Sequence, residues 1–400
     1  MVMPKLRFKT DDGSDFPDWE EKKLGKLTEK INRRGTNSTA DIRMISQGNG
    51  FILQSDKYSR ENAGESLKKY TLLKKNEFAY NHGASKMKPY GVCYRLCESD
   101  EARVPYVYHT FRFISEIEDF WNYALNTSKM DRQLKKIVSS GARMDGLLNI
   151  GYDAYMSVRV MVPALPEQQK IADFLSTIDT IIEKQRAMVS AWEERKKGVM
   201  QKLFSQEVRF KADDGSDFPD WEEKKMTDLF TRIVEKNRTD LPALTIIQGQ
   251  GTVRRDESDR RISYDSKGLK NYKVVRKDNF IVHLRSFEGG LEIANQDGIV
   301  SPAYHVYQGN ANVNPKFYYP YFRSNNFIRG RLAICVTGVR DGKNIEMNAF
   351  DELLLPCPSL PEQQKIADCL SALDTVIEQQ KETLEKWQEL KKGLLQQMFV

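Results

Sequence analysis

The sequence predicts an α+β protein in which two mixed α/β domains alternate with two long helices that pair as a coiled coil. An internal duplication is the first observation: the nonapeptide Leu-Pro-Glu-Gln-Gln-Lys-Ile-Ala-Asp occurs at residues 165–173 and again at 360–368. Across residues 165–182 and 360–377, 14 of 18 aligned positions are identical. Helical spacing is the second observation, because apolar residues follow each nonapeptide at intervals of three, four and seven.

Each long helix is predicted to begin at its nonapeptide, where proline stands just inside the helix and its missing N–H costs nothing. A helix of about 38 residues is about 57 Å long and cannot bury its apolar stripe alone. Pairing of the two stripes is the simplest solution. The positions assigned to this coiled coil and to partner docking are Ile171, Ile178, Gln185, Trp192, Ile366, Leu373, Gln380 and Trp387.

Two glutamines, Gln185 and Gln380, interrupt the apolar seam at equivalent positions of the two helices. A buried polar pair at a seam position can fix the register of two paired helices. The alternative is that both side chains face water, and the sequence leaves these two interpretations open.

A second repeat, which we call the marker segment, precedes each domain. Residues 7–23 and 209–225 have the same sequence except for Thr10 against Ala212. The order of the chain is therefore marker segment, domain and helix, repeated once. The predicted boundaries are residues 1–163 for the first marker segment and domain, 164–206 for the first helix, 207–358 for the second marker segment and domain, and 359–400 for the second helix.

The two domains share a few short matching stretches, and their sequences otherwise differ. Gln-Gly-Asn-Gly at residues 47–50 matches Gln-Gly-Gln-Gly at 248–251, and Gly-Ala-Arg at 141–143 matches Gly-Val-Arg at 338–340. We expect one fold that carries two unlike surfaces. Alternating and amphipathic runs predict strands at residues 70–80, 104–109, 157–162, 274–284 and 299–307, and helices at 114–124, 130–139 and 318–329.

Composition narrows the class of protein. The chain has 400 residues, a net charge of +6 and a pI near 8.8. This small positive charge weakly favours polyanionic partners. Its five scattered cysteines form neither a disulfide framework nor a zinc pattern. No signal-like core and no run of about 18 apolar residues is present, so we expect a cytoplasmic protein.

The motifs that could carry catalysis are incomplete. Asn-Pro-Lys-Phe at residues 314–317 approaches the catalytic loop of adenine methyltransferases, but it lacks the second proline and no glycine-rich methyl-donor loop precedes it. The Gly-X-Gly matches at residues 48–50 and 249–251 are more often turns than nucleotide sites. Four histidines form no metal pattern, so we predict no catalytic residue and no metal site.

Basic residues concentrate at corresponding places in the two domains. Residues 56–88 carry eight Lys and Arg against four acids, and residues 251–277 carry nine against four. Lys and Arg on one face attract phosphates, Arg can pair with guanine, and Asn or Gln can pair with adenine. Because a charge run is usually a solvated face, this composition is compatible with DNA binding without establishing it.

The doubled nonapeptide resembles the specificity subunit of type I restriction–modification systems. The marker segment ending in Phe-Pro-Asp-Trp and the stretch Gly-Ile-Val-Ser-Pro-Ala-Tyr at residues 298–304 share this resemblance, which covers essentially the whole chain. The first domain departs from it, with Tyr-Gly-Val-Cys-Tyr at residues 90–94.

The resemblance implies a non-catalytic subunit that recognises double-stranded DNA. Each domain would be a target recognition domain that reads one half of a bipartite, asymmetric site. The helices would form an antiparallel coiled coil with pseudo-twofold symmetry, fix the spacer and dock two methyltransferase subunits. Those subunits would use S-adenosylmethionine to methylate adenine, and two restriction subunits would use ATP and Mg, so this chain itself would need no cofactor.

Candidate DNA contacts follow from the basic stretches and from the matching glycine positions. Arg143 and Arg340 follow matching glycines and could clamp phosphates in both domains, with an internal salt bridge as the alternative for each candidate. The full set of predicted DNA-binding residues is Arg33, Arg34, Asn49, Lys75, Arg143, Arg254, Arg255, Arg285, Arg340 and Lys343.

Two other functions compete with this interpretation. A self-sufficient methyltransferase or nuclease would need a methyl-donor loop or a carboxylate metal cluster, and the sequence displays neither. A non-catalytic coiled-coil adaptor would show no salt-dependent DNA binding even with its partners present.

Overall fold

The computed structural model describes residues 4–46, 48, 50–57, 64–83, 88–138, 148–257, 266–283, 290–338 and 344–399. The chain forms two compact units: residues 1–186 with 383–400 make the first unit, and residues 187–382 make the second. Each unit therefore combines one mixed domain with parts of both long helices.

The described elements of the first half are short strands and helices followed by one long helix. They are β1 (Glu20–Lys23), β2 (Thr28–Lys30), β3 (Arg43–Ser46), β4 (Gly50–Leu53), α1 (Gln54–Lys57), β5 (Thr71–Lys74), β6 (Phe78–Asn81), β7 (Val92–Arg95), β8 (Glu101–Val104), β9 (His109–Phe113), α2 (Glu118–Ala124), α3 (Ser128–Ile137), α4 (Tyr152–Met156), β10 (Arg159–Val162) and α5 (Leu165–Phe204).

The second half follows a similar pattern. Its elements are β11 (Glu222–Lys225), α6 (Met226–Leu229), β12 (Phe230–Ile233), β13 (Leu244–Ile247), β14 (Gly251–Arg254), β15 (Lys273–Val275), β16 (Phe280–His283), β17 (Glu292–Ile293), β18 (Gly298–Val300), β19 (Tyr304–Gly309), α7 (Pro315–Phe322), β20 (Val336–Thr337), β21 (Asn344–Ile345), α8 (Met347–Asp351), β22 (Leu354–Cys357) and α9 (Leu360–Met398).

The four-stranded sheet and three smaller strand pairs have equivalent strand orders in the two units. The first unit has a four-stranded antiparallel sheet of order β2-β9-β6-β7, and the second has the equivalent order β12-β19-β16-β17. The smaller pairs β1-β10, β3-β4 and β5-β8 correspond to β11-β22, β13-β14 and β15-β18. The mixed fold and the internal duplication predicted from the repeats are confirmed.

Buried aromatic side chains fill the core of each domain. In the first unit Phe78, Phe111 and Trp121 are fully buried, and in the second unit Phe280 and Phe322 are equally inaccessible. Burial of side chains this large contributes roughly 1.5–3 kcal/mol each relative to exposure. These rings hold the small sheets and the short helices together, so the exposed loops are carried on a packed support.

Two of the runs that were each predicted as one strand contain two strands separated by a turn. The run at residues 70–80 contains β5 and β6, and Asn76 between them has a φ of 70°. The run at residues 274–284 contains β15 and β16, and Asp278 between them has a φ of 67°. Asn and Asp tolerate this left-handed conformation, and the prediction was wrong because it followed hydrophobicity through a polar turn.

No helix in the described part of the chain has the length and hydropathy needed to cross a membrane.

Candidate nucleic-acid interface

A buried carboxylate joins the first marker segment to the start of α5. Glu167 is fully buried and accepts hydrogen bonds from Arg7 Nε at 3.0 Å and Arg7 Nη2 at 2.9 Å. Trp19 Nε1 donates to the same carboxylate at 3.0 Å. The hydrogen bond to Glu167 raises the pKa of the Arg7 guanidinium. Trp19 belongs to the same apolar core as Ile171 of α5, so apolar packing accompanies the polar contact.

The second unit repeats this clamp with the same atoms. Glu362 is fully buried and accepts from Arg209 Nε at 3.0 Å, Arg209 Nη2 at 2.9 Å and Trp221 Nε1 at 2.9 Å. A buried charge is tolerated only when it is paired and hydrogen-bonded, as it is here. The near-identity of the two marker segments therefore has a structural reason.

The glutamine after each of these glutamates joins the domain to the long helix. Gln168 Oε1 accepts from the backbone N–H of Ile117, the residue before α2, at 3.1 Å. Gln363 Oε1 accepts from the backbone N–H of Asn314 at 2.9 Å. Asn314 in turn accepts from Lys316 N and caps α7. The motif at residues 314–317 thus begins a helix that is held to α9.

In the first unit, the start of α5 packs against the end of α9. Ile171, Leu175 and Ile178 belong to the same apolar core as Met398 and Phe399. Lys391 of α9 forms a salt bridge with Asp179 of α5, and Tyr123 Oη donates to Asp179 at 2.7 Å. Burial followed by this hydrogen bond raises the pKa of the Tyr123 hydroxyl.

In the second unit, the end of α5 packs against the start of α9. Lys196 forms a salt bridge with Asp374, and Lys381 lies 2.7 Å from Glu193. Residue numbers rise along one helix as they fall along the other, so the two segments run antiparallel. The pair Lys196–Asp374 is the repeat-related equivalent of Lys391–Asp179, because both members shift by the helix offset of 195 with their helices exchanged.

The eight predicted coiled-coil positions differ in burial. Ile171, Ile178 and Ile366 are buried in the cores of their units. The remaining five are half-buried, and they are Gln185, Trp192, Leu373, Gln380 and Trp387. Register fixing by the two glutamines and docking of partner subunits remain predictions.

Arg33, a predicted DNA contact, forms an ion pair with a buried glutamate of its own domain. Arg33 donates Nη2 to Glu77 Oε1 at 2.6 Å and Nη1 to Glu77 Oε2 at 3.1 Å, a bidentate pair. Its Nη1 also donates to the carbonyl oxygen of Leu72 at 3.0 Å. This guanidinium holds the β5–β6 turn through the internal salt bridge that was the alternative, and a DNA contact by Arg33 remains a prediction.

Four other predicted contacts have described surroundings. Arg34 is exposed, and Lys75 Nζ lies 3.9 Å from Asp100. Arg254 pairs with Asp256 through Nε and Nη2 at 3.1 and 2.9 Å, and this contact raises its pKa. Arg255 donates to Tyr272 Oη at 3.1 Å and lies over the same ring. These side chains stay candidates for phosphate contact. The remaining predicted residues lie outside the described part of the chain, and they are Asn49, Arg143, Arg285, Arg340 and Lys343.

Two β-hairpins present glycine-containing tips, and the sequence predicted a turn at both tips and a DNA contact, Asn49, at the first. The β3–β4 tip includes Gly48, whose N–H donates to Tyr94 Oη at 3.1 Å. The β13–β14 tip includes Gly249, whose N–H donates to Glu292 Oε1 at 2.8 Å. Gln248 and Gln250 beside it are exposed and were absent from the predicted set. The repeated Gln-Gly-X-Gly pattern was the signal that could have identified them.

Histidines at equivalent positions of β9 and β19 lie within the domains. His109 Nε2 lies 2.8 Å from the carbonyl oxygen of Ile150, and burial lowers the pKa of its ring. His305 contacts the guanidinium of Arg232, and burial, followed by the charges of Arg232 and Lys273, lowers its pKa to about 4. Among the residues described, no group of three or more His, Cys, Asp or Glu side chains is placed to hold a metal ion.

Comparison with known proteins identifies the family. The model of the type I restriction modification DNA specificity domain matches residues 100–189 and 219–386. These residues make up more than half of the chain, so the chain belongs to this family.

Two curated relatives come from Methanocaldococcus jannaschii. The type I restriction enzyme MjaX specificity subunit is 24% identical over 251 residues, which is 60% of this chain and 57% of the relative. The MjaVIII specificity subunit is 24% identical over 287 residues, which is 65% of this chain and 66% of the relative. The aligned region thus spans less than two thirds of each relative's length.

Two solved structures share the fold. The type I restriction–modification S subunit from M. genitalium has a TM-score of 0.52 and 15% identity, with 100% of this chain and 99% of that chain covered. A chain from a study of complex assembly and conformational transition of the type I R-M system has a TM-score of 0.54 and 14% identity, with 96% and 98% covered. At this identity the likeness concerns the fold.

Proposed function

We propose that each domain reads one half of a bipartite, asymmetric DNA site and that the paired helices set the number of unread base pairs between the halves. The observation that carries this proposal is the duplication of the connecting parts beside the divergence of the domains. The clamps at Glu167 and Glu362 are alike atom for atom, whereas the domain surfaces differ in sequence.

The chain directs adenine methylation and restriction through other subunits in this proposal. The helices dock two methyltransferase subunits, which bring S-adenosylmethionine, and two restriction subunits join with ATP and Mg. Half-buried and exposed apolar side chains along the helices support docking, because they offer contact area that their own units leave open. Met188 of α5 and Leu390 of α9 are two of the exposed ones.

Mapping methylated adenines tests the proposal directly. Cells that express the chain with its methyltransferase subunit should show one asymmetric, split motif, and cells that lack the chain should show none. Absence of any motif dependent on the chain would refute DNA recognition by it, and methyl transfer by the purified chain alone would favour the self-sufficient enzyme.

Lengthening the helices tests the spacer. Four residues added to α5 and four to α9 move the flanking segments by about 6 Å along the helix axis, roughly two base pairs of DNA at 3.4 Å each. We expect the methylated motif to keep both half-sites and to gain one to two unread base pairs. A motif with an unchanged spacer and altered half-sites would contradict a measuring role for the helices.

A further inference from the structure

The tip of the β13–β14 hairpin is held through its main chain while its side chains face solvent. Ile247 and Gly251 are register partners, and Gln248, Gly249 and Gln250 form the turn between them. Gly249 and Gly251 have φ angles of +85° and +78°, in the region that favours glycine. The conformation of this turn is therefore fixed by the sequence.

A buried ion pair anchors one side of the tip. Glu292 is 6% exposed, and its Oε1 accepts from Gly249 N–H at 2.8 Å. Arg323 Nη1 donates to the same oxygen, and Tyr319 Oη donates to Oε2 at 3.1 Å. The guanidinium also lies over the Tyr319 ring. A buried carboxylate is costly unless it is paired and hydrogen-bonded, and here its partners include the turn itself.

An amide and a close backbone approach anchor the other side. Asn295 Nδ2 donates to the carbonyl oxygens of Gln250 at 2.7 Å and Thr252 at 3.2 Å. A Cβ atom on Gly251 would lie 2.6 Å from the carbonyl oxygen of Ile293. The strand therefore passes so close to β17 that only glycine fits, and the tip is fixed at three successive residues.

We propose that Gln248 and Gln250 are base-reading residues of the second domain and that Glu292 positions them. This inference rests on the proposed function, because it names residues that select bases within it. A Gln amide offers one donor and one acceptor, which match the major-groove edge of adenine. A tip whose backbone is already ordered loses less conformational entropy on binding than a free loop.

Electrostatics at the tip suit contact with DNA. The Glu292 carboxylate would repel phosphates if it stood alone, but Arg323 neutralises it and is itself 27% exposed at the side chain. The exposed groups are then neutral amides with a cation beside them. The first unit has the same glycine spacing but uses Tyr94 in place of the ion pair, as expected for a reader of a different half-site.

The experiment measures base preference in the assembled methyltransferase. Gln248→Ala and Gln250→Ala are compared with Gln308→Ala, an exposed glutamine on β19, and with Glu292→Gln. Methylated adenines are mapped in cells. Binding of the purified complex is measured on duplexes that carry each base pair at each recognised position, so preference is read even where methylation is weak. Thermal unfolding of each purified variant checks the fold.

Loss of an amide reader should relax selection at one base pair of one half-site by roughly tenfold to a hundredfold. The other half-site, the spacer and the salt slope should stay as they are, because no phosphate contact is removed. Glu292→Gln should relax selection at the base pairs that Gln248 and Gln250 read, to a smaller degree than loss of either amide. Gln308→Ala should leave every base preference unchanged.

Two contrary results are distinguishable. If the unaltered chain directs no split motif, the proposed function fails and this inference fails with it. If the unaltered chain directs a motif and both glutamine variants keep every base preference, the proposed function stands and the inference is overturned. If Glu292→Gln weakens binding to all DNA sequences equally and leaves the preferred base unchanged, Glu292 has only a structural role and does not position the readers.

Discussion

The two units are alike where a domain joins a helix and unlike where a hairpin meets solvent. Glu167 and Glu362 hold Arg and Trp of their marker segments with distances that agree within about 0.1 Å. At the hairpin tips, a tyrosine hydroxyl holds Gly48 and a paired carboxylate holds Gly249. The joints repeat because each must fit a helix that begins with the same nine residues, whereas the surfaces are free to differ.

The comparison also separates two kinds of polar contact in this molecule. The joint buries its carboxylate completely, although about a fifth of each Arg side chain is exposed, and removal of one partner leaves an unpaired group. The hairpin tip buries its anchor and exposes its side chains. Substitutions should therefore affect stability at the joint and recognition at the tip.

The largest effect is expected from the joint. Glu167→Ala and Glu362→Ala should each lower the free energy of unfolding of their unit by about 3–4 kcal/mol, because a half-buried Arg and a Trp N–H lose their carboxylate partner. Urea unfolding with separate probes in the two units measures this. Glu194→Ala removes an exposed pair on α5 and should change stability by at most about 0.5 kcal/mol. Unequal losses at Glu167 and Glu362 would contradict the equivalence of the joints.

The ends of the long helices provide the next comparison. Phe399 packs on Phe120 at 5.5 Å between ring centroids in the first unit, and its repeat equivalent Phe204 packs on Tyr321 at 5.4 Å in the second. Phe399→Ala and Phe204→Ala should each cost about 3 kcal/mol as cavities form. Unfolding probes placed in each unit should report Phe399→Ala in the first unit, although residue 399 follows the second domain in the chain.

One pair of aligned helix positions should break the symmetry. Ile178 is 4% exposed in the first unit, whereas its equivalent Leu373 is half-buried in the second. We expect Ile178→Ala to cost about 2–4 kcal/mol and Leu373→Ala about 1 kcal/mol, because less apolar area is lost. Chemical unfolding of both variants measures the difference, and equal costs would contradict unequal burial.

The hydroxyl group of Tyr94 should stabilise the tip of the first hairpin. Tyr94→Phe removes one hydroxyl contact from Gly48 and should cost about 1 kcal/mol. Hydrogen exchange at the Gly48 amide should quicken by roughly fivefold, which is the same free energy expressed as a rate. Tyr106→Phe alters an exposed tyrosine of the same unit and should leave this amide unchanged.

The free energy of unfolding should depend on pH through the histidines at equivalent positions of β9 and β19. The folded pKa of His305 is about 4 against an ordinary value of 6.5, so the unfolded chain binds the extra proton first. Its contribution to stability is present above pH 6.5 and is lost as pH falls from 6.5 toward 4. His305→Asn should flatten the stability profile in this window. The pKa of His109 is also lowered by burial, so His109→Asn should flatten the profile in the same direction.

Much of the fold could be predicted from repetition. The nonapeptides placed the starts of both long helices at Leu165 and Leu360, where α5 and α9 begin. The repeats also indicated one fold used twice, and the matching sheet orders confirm it. Strand limits were less accessible, because Asn76 and Asp278 turn the chain within runs that look continuous in hydrophobicity.

The candidate site was harder to predict than the fold. Arg33 carries a charge that suits DNA, but Glu77, distant in sequence, occupies its guanidinium. Gln248 carries no charge and stands in a glycine turn, so composition gave it no weight. Whether a side chain can contact DNA depends on which other groups of the domain contact it first. The linear sequence does not show which distant residues those are.

The sequence by itself determined the duplication, the long helices and the family of the protein, because each follows from repeated residues and local spacing. Only the tertiary structure decided that the last turn of each long helix completes a domain core with residues distant in the chain. Met398 and Phe399 fill the first unit, and Leu203 and Phe204 fill the second. The physical reason is that an apolar stripe specifies that it must be buried, whereas the shape and polarity of the surrounding surfaces specify where.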